Sequence, residues 1–277
     1  MGKKDTRQEL PPVPEALAAG AVDSHTHLDA CGAKTAEDVR AIVDRAQSAG
    51  VGRVVTVADD LDSARWAVEA ATWDERVFAA VALHPTRTKD FSAGDRAALE
   101  ELSAHPRVVA VGETGLDYYW DYSPPEPQQE AFRWHIGLAK RTGKPLMIHD
   151  REAHDDILRI LDEEGAPEKV VFHCFSGDAA FAESCVAKGY VLSFAGTATF
   201  RNAKSLREAA ESVPLEQMLV ETDAPFLTPH PFRGRPNQPY CVNYTLRDLA
   251  ELRGMTPDEL AVATTATAER VFGLDQG

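Results

Sequence analysis

In Asp23-Ser24-His25-Thr26-His27 two imidazoles stand two positions apart. On an extended strand residues i and i+2 share a face, so His25 and His27 can address one ligand together. A hydrogen-bonded pair of core histidines has the same spacing. The end of a buried strand favours a metal ion, because imidazoles there need partners and an ion supplies them. Glu113, in Val111-Gly112-Glu113-Thr114-Gly115-Leu116-Asp117, is a carboxylate inside an otherwise apolar run. Buried alone it would cost several kcal/mol or lose its charge. A structural ion pair answers that cost, and so does ligation, since two carboxylate oxygens can bridge two ions. No lysine occupies this run, so Glu113 is the bridge available. His149 closes the run Leu146-Met147-Ile148, His173 closes Val170-Val171-Phe172, and Asp223 follows Leu219-Val220-Glu221-Thr222. Alternation turns Cys174 away from the face of His173, and it sets Glu221 one layer below Asp223, where support is favoured over ligation.

These side chains need a scaffold that brings distant parts of the chain to one place. Eight apolar, β-branched runs end in polar residues, at 21–28, 53–58, 77–85, 108–117, 145–150, 169–176, 190–196 and 218–225. Helical spacing separates them at 36–49, 63–74, 128–142, 153–163 and 179–188, with more helix after Pro239. Repeated βα units require a parallel sheet, and eight of them close a (β/α)8 TIM barrel. An open doubly wound sheet competes on pattern alone. The polar residues favour the barrel: five of the nine histidines, His25, His27, His84, His149 and His173, stand toward the ends of four different runs, and Glu113 and Asp223 toward the ends of two more. In a barrel such ends converge on one mouth, whereas an open sheet strings them along an edge. Residues 1–20 are polar and carry Pro11, Pro12 and Pro14, which predicts a flexible tail, with a single barrel domain over 21–277.

Composition narrows the function. The chain has 277 residues, 44% hydrophobic and 26% charged, enough for a substantial core and without the roughly 18 consecutive apolar residues of a membrane span. Cys31, Cys174, Cys185 and Cys241 form no C-x-x-C pair, and no apolar signal core follows Lys3 and Lys4, so a cytoplasmic location is expected. Residues 1–6 fit the short myristoylation pattern, but one acyl chain would hold a membrane only marginally and no second anchor is present. No obligate protein partner is evident. The net charge of -15 excludes a protein that coats nucleic acid along its length, while leaving room for a nuclease with a local site, where bound ions invert the field.

The sequence resembles the TatD family of metal-dependent hydrolases from Val22 almost to its end. The likeness rests on Asp23-Ser24-His25-Thr26-His27-Leu28-Asp29, Gly112-Glu113-Thr114-Gly115-Leu116-Asp117, His149-Asp150-Arg151, His173-Cys174-Phe175-Ser176-Gly177 and Glu221-Thr222-Asp223-Ala224-Pro225. It implies two divalent ions, one held by His25, His27, Glu113 and Asp223, the other by Glu113, His149 and His173. It implies also a DNase, often exonucleolytic from a 3′ end, with magnesium or another divalent ion. Four imidazoles suit zinc, manganese or nickel better than magnesium, which prefers oxygen. The loop Arg233-Gly234-Arg235-Pro236-Asn237-Gln238-Pro239 also matches, although Pro236 interrupts it and Ala82 stands where glycine is expected.

Two ions can clamp a phosphodiester and acidify a water, and Asp223 is the expected proton acceptor, with Glu113 the catalytic bridge. Arg151, on the face of His149, is placed to grip a phosphate, and His84 to touch it. Tyr118, Tyr119, Trp120 and Phe226 can stack bases, and Arg201, Lys204, Arg233 and Arg235 offset the acidic surface. The same chemistry could open a carboxylic ester or amide, such as an aminoacyl ester. A non-catalytic metal scaffold is the third reading, and the full set of ligand types argues against it.

Overall fold

The computed structural model describes residues 8–274; the myristoylation pattern at 1–6 lies outside them. Eight strands run parallel in chain order: β1 (Ala21–Thr26), β2 (Val51–Val57), β3 (Val77–Val81), β4 (Val108–Asp117), β5 (Leu146–Arg151), β6 (Val170–Phe172), β7 (Val191–Phe194) and β8 (Met218–Val220). Nine helices cover them among the described residues: α1 (Ala36–Ser48), α2 (Leu61–Trp73), α3 (Ala93–Ser103), α4 (Pro125–Thr142), α5 (His154–Glu164), α6 (Ala179–Ala187), α7 (Lys204–Ser212), α8 (Val242–Leu252) and α9 (Pro257–Phe272). Capping boxes start four of them, pairing Thr35 with Asp38, Asp60 with Ser63, Ser92 with Asp95 and Thr256 with Glu259. Helices α3 and α7 fall where the apolar pattern predicts none. The first buries only Leu99 and Ser103, and the second only Leu206, Ala209 and Ala210, too thin a stripe to read.

The ring closes where β8 meets β1. An isolated bridge pairs Thr26 with Ala224, Ser24 Oγ donates to the Val220 carbonyl at 2.9 Å, and buried Asp23 accepts from Thr222 N at 2.8 Å and Thr222 Oγ1 at 2.6 Å. Inside the barrel Val22, Phe78, Val109, Val171, Val191 and Leu219, near the starts of their strands, form one cluster with Val271 and Phe272 of α9. That end is therefore filled with hydrocarbon, and the polar strand ends lie at the other. The barrel is the fold that the eight runs predict.

The segment before β1 is held along much of its described length. Pro11 and Leu17 are buried, and the carbonyls of Pro11, Pro12 and Glu15 accept hydrogen bonds from Tyr240 Oη, Tyr244 Oη and Asn243 Nδ2 at 2.5, 2.7 and 3.0 Å. A tail was the natural expectation because prolines donate no backbone bonds and give no periodic pattern, but their carbonyls remain acceptors.

Candidate metal centre

Glu113 sits in a locally irregular β4. Between Val111 and Thr114 the register against β5 slips by one residue, a bulge of the kind that re-aims a side chain. Glycines make the close approach possible. A Cβ on Gly112 would lie 2.4 Å from Met147 Cβ, and one on Gly115, at φ +141°, would lie 2.0 Å from the His149 carbonyl oxygen. With β4 pressed onto β5, the Glu113 carboxylate lies among imidazoles from four elements.

Its two oxygens face two different groups. On one side His25 Nε2 and His27 Nε2 are 3.3 Å apart, Glu113 Oε1 is 3.6 and 3.5 Å from them, and Asp223 Oδ1 is 3.6 and 3.4 Å from them. Donors about 2.1 Å from a tetrahedral ion stand about 3.4 Å from one another, so His25, His27 and Glu113 make a donor triad of the right size, with Asp223 in reach of both imidazoles. On the other side Glu113 Oε2 lies 2.7 Å from His173 Nε2 and 3.2 Å from His149 Nδ1, with those two nitrogens 3.3 Å apart. Three donors leave coordination open, as a catalytic ion requires. The rings of His25 and His173 stack at 3.9 Å between the two groups.

The electrostatics express the same crowding. Burial alone would raise Glu113, yet His173, His84 and His25 around it hold its carboxyl well below the usual range. His27, which burial would lower, is pushed up to about 10 by its contacts with Asp223, Asp59 and Glu113. Burial and the neighbouring His173 instead lower His25. The cluster therefore retains protons among its donors, the place a cation takes once the imidazoles are neutral.

Outer partners orient the inner atoms. His149 Nε2 donates to Asp117 Oδ2 at 2.9 Å, which turns Nδ1 toward Glu113, and His27 Nδ1 donates to the Val57 carbonyl at 2.9 Å. Glu221 lies 3.3 Å from His173 Nδ1 and accepts from Cys174 N at 2.9 Å. Asp223 is held at φ +52° by its N–H to the His25 carbonyl at 2.9 Å, and Asn237 Nδ2 braces the same turn by donating to the Thr222 carbonyl at 3.0 Å. β6 ends at Phe172, so strand alternation does not govern Cys174; a left-handed turn at φ +42° does, and burial pushes its thiol well above the usual range.

The structure thus brings His25, His27, Glu113, His149, His173 and Asp223 together. His84 reaches their margin, with Nε2 3.3 Å from His149 Nδ1 and 4.0 Å from Glu113 Oε2, and burial beside His149 lowers it to about 3. Tyr118 goes elsewhere: it packs against the core and donates to Asp156 Oδ2 at 2.7 Å, on the helix side of its strand. Arg151 lays its guanidinium 4.0 Å from the Tyr119 ring centre, Arg233 lies 4.6 Å over Phe200, and neighbouring Arg201 is exposed. Phe226 is exposed at the rim, 6.2 Å from the His27 ring. Asp117, Asp23 and Asn237 support the site without being expected there from sequence. Asp117, two steps of alternation beyond Glu113, and Asp23, one step before His25, carried a signal in their spacing.

Barrels that gather histidines and carboxylates at the C-terminal strand ends in this way define a class, the metal-dependent hydrolases, and this chain falls within it. Its family is specific: the chain belongs to the TatD-related DNases, whose family profile matches residues 22–273. It is 60% identical over 258 residues to the uncharacterized metal-dependent hydrolase TatD of Mycobacterium tuberculosis, spanning 91% of this chain and 98% of that protein. It is 36% identical over 246 residues to the 3'-5' ssDNA/RNA exonuclease TatD of Erwinia amylovora, spanning 86% and 95%. The crystal structure of the TatD homologue YjjV from Escherichia coli K12 superposes with a TM-score of 0.85 at 32% identity, covering 91% of this chain and 98% of that one. The chain is accordingly a metal-dependent hydrolase acting on ester bonds, a nuclease of the TatD type.

Proposed function

We propose that this hydrolase removes nucleotides from the 3′ end of single-stranded nucleic acid, working with two divalent ions at one local site. The observation that carries the reading is Glu113, whose two oxygens face separate donor groups. His25, His27, Glu113 and Asp223 would hold one ion, and Glu113, His149 and His173 the other. Bound there, divalent ions supply Lewis acidity toward a phosphoryl oxygen and lower the pKa of water. The imidazole-rich donor set supports zinc or manganese over magnesium. Among the described residues no helix is long and apolar enough to cross a membrane.

The side chains divide the remaining work. Asp223 stands at the mouth and is held below the usual carboxylate range: burial would raise it, but the hydrogen bond from His27 and the charge of His25 prevail. It is ionised at neutral pH and accepts the proton of the attacking water. Neutral His84 donates to a phosphate oxygen at the margin of the cluster. Phe226 offers a ring to the terminal base, and Arg201 and Arg233 counter the charge of the strand near Phe200. The test is a side-by-side assay of the metal-analysed protein on single-stranded DNA, duplex DNA, RNA and aminoacyl esters. Release of mononucleotides from 3′ ends supports the reading. Faster turnover of the aminoacyl ester than of any nucleic acid overturns it.

A further inference from the structure

Among the described residues the large exposed apolar side chains are Val13, Tyr119, Trp120, Tyr122, Phe226 and Val262, so three of six lie on the loop that follows β4. The three rings are ordered against one another. Trp120 and Tyr122 stack at 5.7 Å and 20°, Tyr119 meets Trp120 edge-on at 4.8 Å, and Arg151 covers the face of Tyr119. Beside Tyr122 opens a cleft of about 510 Å3, whose other wall is the loop after His84, with Thr86, Arg87, Lys89 and Asp90. Two cations against one carboxylate leave it net positive on a strongly acidic protein.

Both walls are fastened. Asp117 Oδ1 accepts the N–H groups of Tyr119 and Trp120 at 3.0 and 2.9 Å. Gln128 Nε2 donates to the Ser123 carbonyl at 2.8 Å, and the Ser123 and Thr88 hydroxyls join one loop to the other at 2.9 Å. The other oxygen of Asp117 holds His149, so the rings begin one side chain away from the proposed metal ligands.

We infer that this platform and cleft form a second nucleotide subsite, which holds the single strand on the far side of the scissile bond from its 3′ end. A base stacks on Trp120 and Tyr122, and its phosphate lies between Arg87 and Lys89. Rings bind any base by its π-face, and the cleft volume is in the range of small-ligand sites. A strand fits better than an acidic peptide because the two cations of the cleft adjoin a run of stacked rings, as a phosphate adjoins its base, and an acidic peptide has no flat ring to offer that stack. The inference rests on the reading of the site as a nuclease.

The test uses the metal-loaded protein and a fluorescent phosphorothioate oligothymidylate, which binds without being cut. Trp120→Ala should weaken binding by roughly tenfold, the usual worth of one stacked base, and Trp120→Phe should restore it. Arg87→Ala combined with Lys89→Ala should lower the slope of log affinity against log salt by about 0.7 for each phosphate that the two cations neutralise. Affinity and salt slope that stay at wild-type values in these variants overturn the subsite. Failure of the nuclease reading looks different: the wild-type protein then cuts no unmodified oligothymidylate, whatever the variants bind.

Discussion

Replacing Asp117 by asparagine separates two tasks that its carboxylate performs together. One oxygen accepts from His149 Nε2 at 2.9 Å, and the other from the backbone N–H groups of Tyr119 and Trp120. An amide has one acceptor oxygen. Turned to the two backbone donors, it presents its NH2 to His149, where donor faces donor. The imidazole then relieves the clash by moving its proton to Nδ1, the atom that faces Glu113 and His173 and that a metal ion needs deprotonated. Loss of such an outer partner costs about 10- to 100-fold in metal affinity, or roughly 1.4–2.7 kcal/mol. The loss should fall on one ion, because His25 and His27 do not touch Asp117. Competition with a chromophoric chelator, titrating zinc into the stripped protein, resolves the two affinities. One class of site weakening by that factor while the other holds is the expected result. Equal weakening of both, or of neither, refutes the link from Asp117 through His149.

Asp223→Asn keeps shape and one oxygen but cannot accept a proton, so turnover should fall by roughly 10²–10⁴ while metal and oligonucleotide stay bound; steady-state kinetics beside elemental analysis checks this, and metal lost in step with activity would make Asp223 chiefly a ligand. His173→Ala should remove mainly one ion and Glu113→Ala both, as counted by elemental analysis; two ions retained in Glu113→Ala would sink the bridge. Away from the centre, burial lowers His135 from 6.5 to about 4, and its Nε2 accepts from Leu83 N at 3.3 Å, which requires a neutral ring. The unfolded chain thus binds the extra proton first, so stability present above about pH 6.5 is lost as pH falls toward 4, by up to about 3 kcal/mol. Urea unfolding across that range should show the loss in the wild type and a shallower dependence in His135→Gln; equal dependence in both would place the effect elsewhere.

The barrel was legible because eight apolar runs alternate with helical spacing, and because histidines and carboxylates that only a closed ring gathers stand at or just beyond the ends of several of those runs. His25 and His27 could be read by alternation, although His27 lies one residue past β1, and Glu113 as a carboxylate inside an apolar run. His173 and Asp223 were found by residue type at the ends of apolar runs, though both lie beyond the last strand residue, before or within left-handed turns that periodicity does not describe. Tyr118 and Arg151 show the limit. Sequence put them next to the site, but the hydrogen bond from Tyr118 to Asp156 and the stacking of Arg151 on Tyr119 depend on neighbours from other elements. Asp23 and Asn237 act on the β8 turn from about 200 residues upstream and from the loop beyond it, and no local pattern marks such long-range contacts.

The central claim, that ester hydrolysis here runs on two ions bridged by Glu113, is met most directly by metal reconstitution. Protein stripped with a chelator is titrated with manganese or zinc while mononucleotide release from a single-stranded 3′ end is followed. The expected result is no release without metal and a rise that saturates near two equivalents per chain. Release that survives the chelator, or that saturates at one equivalent, would contradict it.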